Sequence, residues 1–523
     1  MRQASILRQS RKGKRRTSQT KTVPAPVRGW NRIDSVANME PDFATILENW
    51  WPTTADIQVR RGWDDHVTGL TAQVESLMPY VKPDGTEILF AAEGTDFFNV
   101  TSAGAVGAAV VSSLSNARWD SINFTNTSGT SYLCCFNGVD APQYWDNSSW
   151  TAITGISSPA ITGVTATGLK APWTHQRRLW MIEADTLKAW FLPVDAVGGA
   201  AEALDLSGIC KRGGHLVAGG AYTFDGGDGP DDYIFFVSSE GEVVGYQGTD
   251  PTSLSTWRIV GVWYVGEPVG MRPVFRFRGE ALLLLKSGIL PLSKALISSG
   301  TDKTTAITFN IQDAISEAVV AYKANFGWQI ELFPEQNMLI LNVPVAEGAN
   351  QQQYCMNTIT GAWTSFDGID ANCWAKMNGE MYFGRNTAVC KIWGSDADNG
   401  VNITADLQQA FSSLDKPGMV KEVRMVKPFI FSDGQPSTLL GVNVDFEETL
   451  PTNTPTFSSV AIALWDTATW DNGVWGGVRL LNDWQTCHGV GEYVALRLQV
   501  ATKGIEVRLK ATNYLYEPGA IVE

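Results

Sequence analysis

Residues 132–153 read YLCCFNGVDAPQYWDNSSWTAI. An apolar run, 132–136, breaks at Asn137, Gly138 and Asp140, residues that supply turn backbone and its hydrogen-bond acceptors. A second run carries Tyr144 and Trp145. The polar turn 146–149 follows, and Trp150 heads a third run. Runs this short are too short for helices and suit strands. The segment therefore predicts an antiparallel hairpin, then a tight turn that delivers a tryptophan into the next strand. The same turn recurs far along the chain in MNTITGAWTSF, residues 356–366, with Trp363 at the position matching Trp150.

The unit of two apolar runs about a polar turn repeats. It starts at Ile88 (ILFAAEGTDFFNV), Tyr132, Leu179 (LWMIEADTLKAWFL), Tyr233 (YIFFVSSEGEVVGYQG), Ala281 (ALLLLKSGILPLS), Met338 (MLILNVPVAEGANQQQYCMN) and Met381 (MYFGRNTAVCKIWG). Successive starts lie 43 to 57 residues apart. A period of about 45 with a central hairpin marks the four-stranded blade of a β-propeller. Inner blade strands are buried on both faces and read as unbroken apolar runs, as ALLLL and YIFFV do. Several unrelated β-sandwiches would share such hairpins, but the regular spacing favours a propeller. The expected fold is all-β, with a β-propeller of six or seven blades over residues 68–395. Trp150 and Trp363 are the expected blade-packing residues, wedged between neighbouring blades.

The flanks read differently. Residues 1–26 form a basic N-terminal arm, and residues 27–67 a docking segment with a short helix in MEPDFATILENWW. There Pro41 stands near the start, with Phe43, Ile46 and Leu47 on one side. A second helix is expected in IQDAISEAVVAYK, with Ile311, Ile315, Val319 and Tyr322 on one face. After residue 395 the pattern changes. Residues 434–459, rich in Ser, Thr, Pro and Asn, read as a loop. In ALWDTATWDNGVWGG the spacing of Trp465, Trp470 and Trp475 fits neither a helix face nor one flat strand. YVALRLQVA and IEVRLKATNYLYE alternate clearly, so residues 396–523 predict a C-terminal β-sandwich-like domain.

Composition excludes several classes. A chain of 523 residues exceeds one compact core. Only 18% of residues are charged, with 50 Gly and 20 Trp, which argues against disorder and against helical bundles. The formal net charge is −14, yet residues 1–22 hold eight Lys and Arg and no acid, so the remainder carries −22 (−14 less +8). A bulk charge of that sign keeps a chain soluble and repels nucleic acid. The seven cysteines are odd in number, lack CxxC spacing and sit mostly among apolar neighbours. They read as core residues rather than a disulfide framework or a zinc site. No apolar run reaches about 18 residues, so no membrane-spanning segment is expected.

Candidate chemistry is sparse. FDGGDGPDDY gathers Asp225, Asp228, Asp231 and Asp232, but without the ligand spacing of a calcium loop, and reads as a structural turn. His66, His175, His215 and His488 lie in no HExxH motif and beside no GxSxG elbow, and His175 reads as a strand histidine. There is no phosphate-binding P-loop and no dinucleotide fingerprint. No catalytic residue, no cofactor and no metal is expected. Paired carboxylates for glycoside cleavage stay open, since they need not be close in the chain. The strongest feature outside the expected core is the arm, where Arg8, Arg11, Lys12, Lys14, Arg15 and Arg16 suit contact with a partner protein or DNA, or a solvated tail.

Four blocks carry a family resemblance. They are PAPVRGWNRIDSVANMEPDFATILENWWPTTADIQVRRGW (residues 24–63), FDGGDGPDDYIFFVSSEGEVVGYQGTDP (224–251), MNTITGAWTSFDGIDANCWAKMNGEMYFG (356–384) and WDTATWDNGVWGG (465–477). In style and order, over residues 24–523, they resemble tail nozzle (tail hub) proteins of short-tailed (podovirus) bacteriophages. Such proteins include the packaged-DNA stabilisation protein and tail tubular protein B types. The resemblance implies a structural virion protein of the viral tail that is not an enzyme. It would be a propeller repeated as a sixfold ring, a homohexamer, below the adaptor that joins portal to tail. Its implied partners are its own copies, tail adaptor or portal-complex proteins, tail fibre or spike proteins, and genomic DNA. The ring would close the channel over packaged DNA and conduct it at ejection. The basic arm departs from the family's pattern. Two other classes remain open: a tail-associated propeller glycosidase acting on host-surface glycans, and a propeller interaction adaptor.

Overall fold

A computed structural model describes residues 17–225, 230–253, 255–277, 279–298, 303–457 and 479–521. Across them the chain is all-β apart from the helices Leu292–Ser298 and Gln312–Tyr322 and four short 3-10 turns. Six of the expected hairpins form where the sequence places them, for instance Ser131–Phe136 with Gln143–Trp145, and Glu280–Leu285 with Gly288–Pro291. The seventh does not. Residues from Met381 onward make one long strand, Glu380–Ser395, paired with Gly62–Val81 from Asn386↔Gln73 to Ser395↔Gly62. The polar residues read as a turn there form a bulge, with Thr387 at φ 64° and a register shift between Asn386 and Ala388. A long neighbouring strand keeps the chain extended where local sequence favoured reversal.

Five sheets, against the six or seven blades expected, stand round a common axis as the blades of a β-propeller. Three are four-stranded antiparallel meanders, from Asp120–Thr125 to Trp150–Ala152, from Leu169–His175 to Glu202–Asp205, and from Leu216–Asp225 to Arg258–Tyr264. One has three strands, Val274–Phe277, Glu280–Leu285 and Gly288–Pro291. The fifth joins Cys373–Met377 and Glu380–Ser395 to Gly62–Val81, Glu87–Glu93 and Asp96–Asn99. It thus closes the circle by pairing late strands with an early one. The strand Gly62–Val81 runs unbroken through residue 67. The turns follow local chemistry. Asp146 Oδ1 accepts the Ser148 and Ser149 N–H groups at 2.8 Å, and Asn357 Oδ1 accepts the Ile359 N–H at 2.9 Å, so both tryptophan turns begin with an acidic or amide side chain folded onto its own backbone. All seven cysteines are free and buried, and burial pushes the Cys210 thiol up to about 11 and the Cys373 thiol up to about 12.

Two larger sheets meet face to face. The nine-stranded one begins as the meander Gln329–Phe333, Met338–Ala346, Asn350–Asn357 and Trp363–Phe366. It continues through Gly29–Trp30, Phe43–Glu48, Ile403–Gln409, Val494–Thr502 and Ser437–Val444. The seven-stranded one centres on Met419–Ser432 and Val507–Ile521, with Gln19–Pro24 and Ile57–Val59 paired to the latter. Leu407, Leu440 and Leu498 of the first share one core with Val426, Ile430 and Tyr514 of the second. The helix Gln312–Tyr322 packs on the same core through Ile315 and Val319.

Two local expectations are corrected. MEPDFATILENWW forms no helix; it gives the strands Phe43–Glu48 and Trp50–Pro52. Phe43 pairs with Gly29 on one side and Leu47 with Leu407 on the other. Pairing on both edges overrides a pattern that also fits a helical face, and Asn49 at φ 58° ends the run. Residues 434–459 are not wholly loop, since Ser437–Val444 pairs residue for residue with Val494–Ala501 partners in the neighbouring strand.

Arg60 fastens the region where propeller and large sheets meet. Its buried guanidinium bonds Asp398 bidentately at 2.7 and 2.6 Å. Its remaining donors reach Asn49 Oδ1 at 2.8 Å, the Asp367 carbonyl at 2.7 Å and the Arg61 carbonyl at 3.1 Å.

Candidate functional site: the axial cavity

The propeller axis holds a cavity of about 610 Å³. Seven inner strands form most of its wall: Gly62–Val81, Asp120–Thr125, Leu169–His175, Leu216–Asp225, Val274–Phe277, Gln329–Phe333 and Cys373–Met377, with Glu87 and Phe235 added from the strands Glu87–Glu93 and Pro230–Ser238. The first and last of the seven belong to one blade sheet, and Gln329–Phe333 opens the nine-stranded sheet. The wall mixes charges, with Glu87, Asp120 and Glu331 facing Arg272, Arg276 and Lys376. A volume in this range suits a small ligand.

Arg272 is the hub. It follows the tight approach at Gly270, φ 75°, where an added Cβ would stand 2.6 Å from Trp328 Cβ. Its Nε donates to Asp120 Oδ1 at 2.9 Å, and its Nη2 donates to Ser76 Oγ at 2.9 Å and to the Trp119 carbonyl at 2.7 Å. Its Nη1 reaches Gln329 Oε1 at 3.4 Å. Gln329 in turn reads the next inner strand both ways, donating to the Trp374 carbonyl at 2.9 Å and accepting the Trp374 N–H at 3.1 Å. One guanidinium thus ties strands from two blades to the meander, with charge-assisted bonds that are stronger than neutral ones.

Glu331 is the chemically distinctive group. Burial pushes its carboxyl up to about 7, against smaller opposing effects from the Leu332 N–H, the Gln329 amide, Lys376 and Arg272. A carboxyl that titrates near neutrality inside a cavity can hold or release a proton there. The other two wall carboxylates have partners, Asp120 in Arg272 and Glu87 in the Asn378 N–H at 2.7 Å. Sequence reading missed Arg272, Gln329 and Glu331. The available signal was alternation in QIELF, where Gln329 and Glu331 share one face of an otherwise apolar inner strand.

The residues singled out from sequence lie elsewhere. Arg8, Arg11, Lys12, Lys14, Arg15 and Arg16 fall outside the described residues, as do the side chains of Asp225, Asp228, Asp231 and Asp232. Trp150 is half-buried, its ring 4.9 Å from Phe90 and 5.3 Å from Phe97 of the neighbouring blade. Trp363 is 1% exposed in the core shared by the two large sheets, and its indole N–H donates to the Ile307 carbonyl at 3.0 Å. His175 is buried at the end of an inner strand, edge-on to Trp257 at 6.2 Å. Among the described residues no cluster of three His, Cys, Asp or Glu side chains forms a metal site, and no helix is long and apolar enough to cross a membrane.

No family model matches the chain, and no curated protein matches it. Among solved structures, the chain is similar to the β-propeller domain of Cps50 (Swd1) from Myceliophteria thermophila, at 11% identity and TM-score 0.39, covering 63% of this chain and 99% of that one. It is similar to BBS1N, solved in complex with ARL6DN, at 10% identity and TM-score 0.38, covering 64% and 97%. The extracellular domain of the putative hybrid two component system BT3049 from B. thetaiotaomicron matches at 12% identity and TM-score 0.39, covering 80% of this chain and 55% of that one. At these TM-scores the propeller assignment rests on the strand pairing itself, which makes the chain an all-β protein with a β-propeller arrangement.

Proposed function

We propose that the chain is a structural virion protein, the nozzle of a short-tailed phage tail. In this reading it assembles as a sixfold ring below the adaptor and conducts DNA at ejection. What carries it is the set of four sequence blocks that resemble nozzle proteins, in order along the chain. The first of them supplies strands to both large sheets, and the third runs from the meander into the closing blade. In this reading the propeller counts six or seven blades: the five sheets, the meander Gln329–Phe366 as a sixth, and a seventh if the closing sheet is divided into two. The two large sheets without that meander act as the C-terminal sandwich, carrying ring contacts, and the basic arm docks on the adaptor or a neighbouring subunit. The duplex would pass between copies, because the axial cavity is ligand-sized. A wall contributed by a chain that is acidic beyond its arm would not hold phosphates.

One observation favours a second reading, a glycan-acting propeller. Glu331 has the neutral-range carboxyl that a general acid needs. Imaging and mass measurement of the purified full chain separate the two. A sixfold ring without hydrolase activity supports the nozzle. A 57.0 kDa monomer whose glycan hydrolysis is lost in Glu331→Gln refutes it.

A further inference from the structure

The blade Leu216–Tyr264 ends in the strand Arg258–Tyr264, which pairs on one side only, with Glu242–Gln247. Among the described residues nothing pairs with its other side. Ile259, Val260, Val262 and Tyr264 are each 41–45% exposed there. A bulge at Val260 twists the strand without covering it. The other outer strands differ. Asp96–Asn99 has four residues and Trp150–Ala152 three, while Glu202–Asp205 carries an acid at each end. Short or charged edges keep sheets from pairing with other chains, whereas a long apolar edge is a template for a further strand.

The same chain contains a sequence of matching character. Residues 459–465, SVAIALW, alternate Val460, Ile462 and Leu464 with Ala461, Ala463 and Trp465, and carry no charge. They span seven residues, as the exposed edge does. They lie in the stretch 458–478, outside the described residues, between Phe457 and the strand Arg479–Leu481. That stretch holds Asp466 and Asp471 and no Lys or Arg. The edge is flanked by the opposite sign, Arg258 at its start and Arg212 stacked 3.7 Å over the Tyr264 ring at its end. Ten residues out and ten back reach roughly 33–36 Å, enough to leave the C-terminal sheets for a neighbour.

We infer that residues 459–465 of one copy add as an outer strand to Arg258–Tyr264 of a neighbouring copy. Main-chain hydrogen bonds would hold the contact, and alternating apolar side chains would set its register. Donor and acceptor are different surfaces, so the contact is head to tail, the kind that builds a ring when the rotation between copies closes. The inference rests on the self-assembly in the reading above, and not on the tail.

Two full-length variants test it: Val260→Lys/Val262→Lys blocks the acceptor, and Ile462→Lys/Leu464→Lys blocks the donor. Mass is read by light scattering. The expected result is a multi-copy wild type and two monomeric variants of about 57.0 kDa. Mixed in equal amounts, the variants should form a two-chain species and nothing larger, because one keeps its donor and the other its acceptor. A mixture that stays monomeric overturns the inference. So does an acceptor variant that melts earlier with no change in mass, which would place the segment on its own blade. A wild-type ring that survives both pairs of substitutions overturns this inference alone, and a monomeric wild type overturns the ring as well.

Discussion

Substituting Arg60 by methionine tests how the propeller is fastened to the large sheets. The guanidinium is 0% exposed and makes five hydrogen bonds to four chain segments, two of them to an Asp398 carboxylate that is itself 12% exposed. Methionine keeps much of the stem volume, so the cavity term is small. What remains is a carboxylate without its cation, two carbonyls without donors, and an Asn49 Oδ1 left with the Asp367 N–H alone, at 3.0 Å. Removing one partner of a buried pair costs about 3–5 kcal/mol. Arg60→Lys keeps the charge but loses the planar fork, and should cost about 2 kcal/mol, the worth of one or two charge-assisted bonds. The double variant Arg60→Met/Asp398→Leu removes both charges and should recover most of the loss, because apolar replacement of a buried pair is often neutral. Urea unfolding followed by tryptophan fluorescence measures all three. If Arg60→Met lies within about 1 kcal/mol of wild type, or the double variant costs as much as the single, the fastening argument is wrong.

Trp363→Ala should cost about 3–5 kcal/mol and Trp150→Ala, half-buried, about half that; equal thermal melts for variant and wild type would contradict the packing described. Gly62→Ala places a Cβ 1.9 Å from the Ala397 carbonyl oxygen, so it should cost at least the roughly 1–3 kcal/mol of an overpacked core. Unchanged urea midpoints would show that the two backbones part easily. Glu331 has a folded value of about 7, raised from 4.5, so its contribution to stability is fully present below about pH 4.5 and is lost as pH rises through about 7. Glu331→Gln should flatten the stability profile between those limits and be the more stable form at pH 8, by about 1–2 kcal/mol once water in the cavity is allowed for. A profile of unchanged slope would mean that the carboxyl is well solvated.

The hairpins were legible because each is local. ALLLL and YIFFV carry their own apolar runs, and Asn, Asp and Gly sit where the backbone turns. What local pattern does not encode is the neighbour. Phe43, Ile46 and Leu47 suit a helix face until Gly29 and Leu407 lie alongside, and Met381–Gly394 suits a hairpin until Gly62–Val81 does. Trp150 and Trp363 follow matching turns yet face different surroundings, one beside a second blade and one in the core of the large sheets. Arg272 and Glu331 were illegible for the same reason. The role of Arg272 depends on Asp120 and Gln329, which reach the axis from other strands, and that of Glu331 on the burial that the surrounding strands impose.

The strand Gln19–Pro24 pairs with Val507–Ile521, and the Tyr516 hydroxyl meets Gln19 across 497 residues of sequence. That pairing fixes an order of events during synthesis. The strand Gln19–Pro24 leaves the ribosome before any of the blades described above exists, and the chain grows by a further 497 residues between Gln19 and Tyr516. At roughly 5–20 residues per second, the wait is on the order of 25–100 s. The propeller closes earlier, once Glu380–Ser395 finds Gly62–Val81. A nascent chain stalled once Ser395 has cleared the ribosome would therefore carry a finished wheel with the strand Gln19–Pro24 still unpaired. Protease sensitivity at residues 17–24, lost in the full chain, would mark that intermediate.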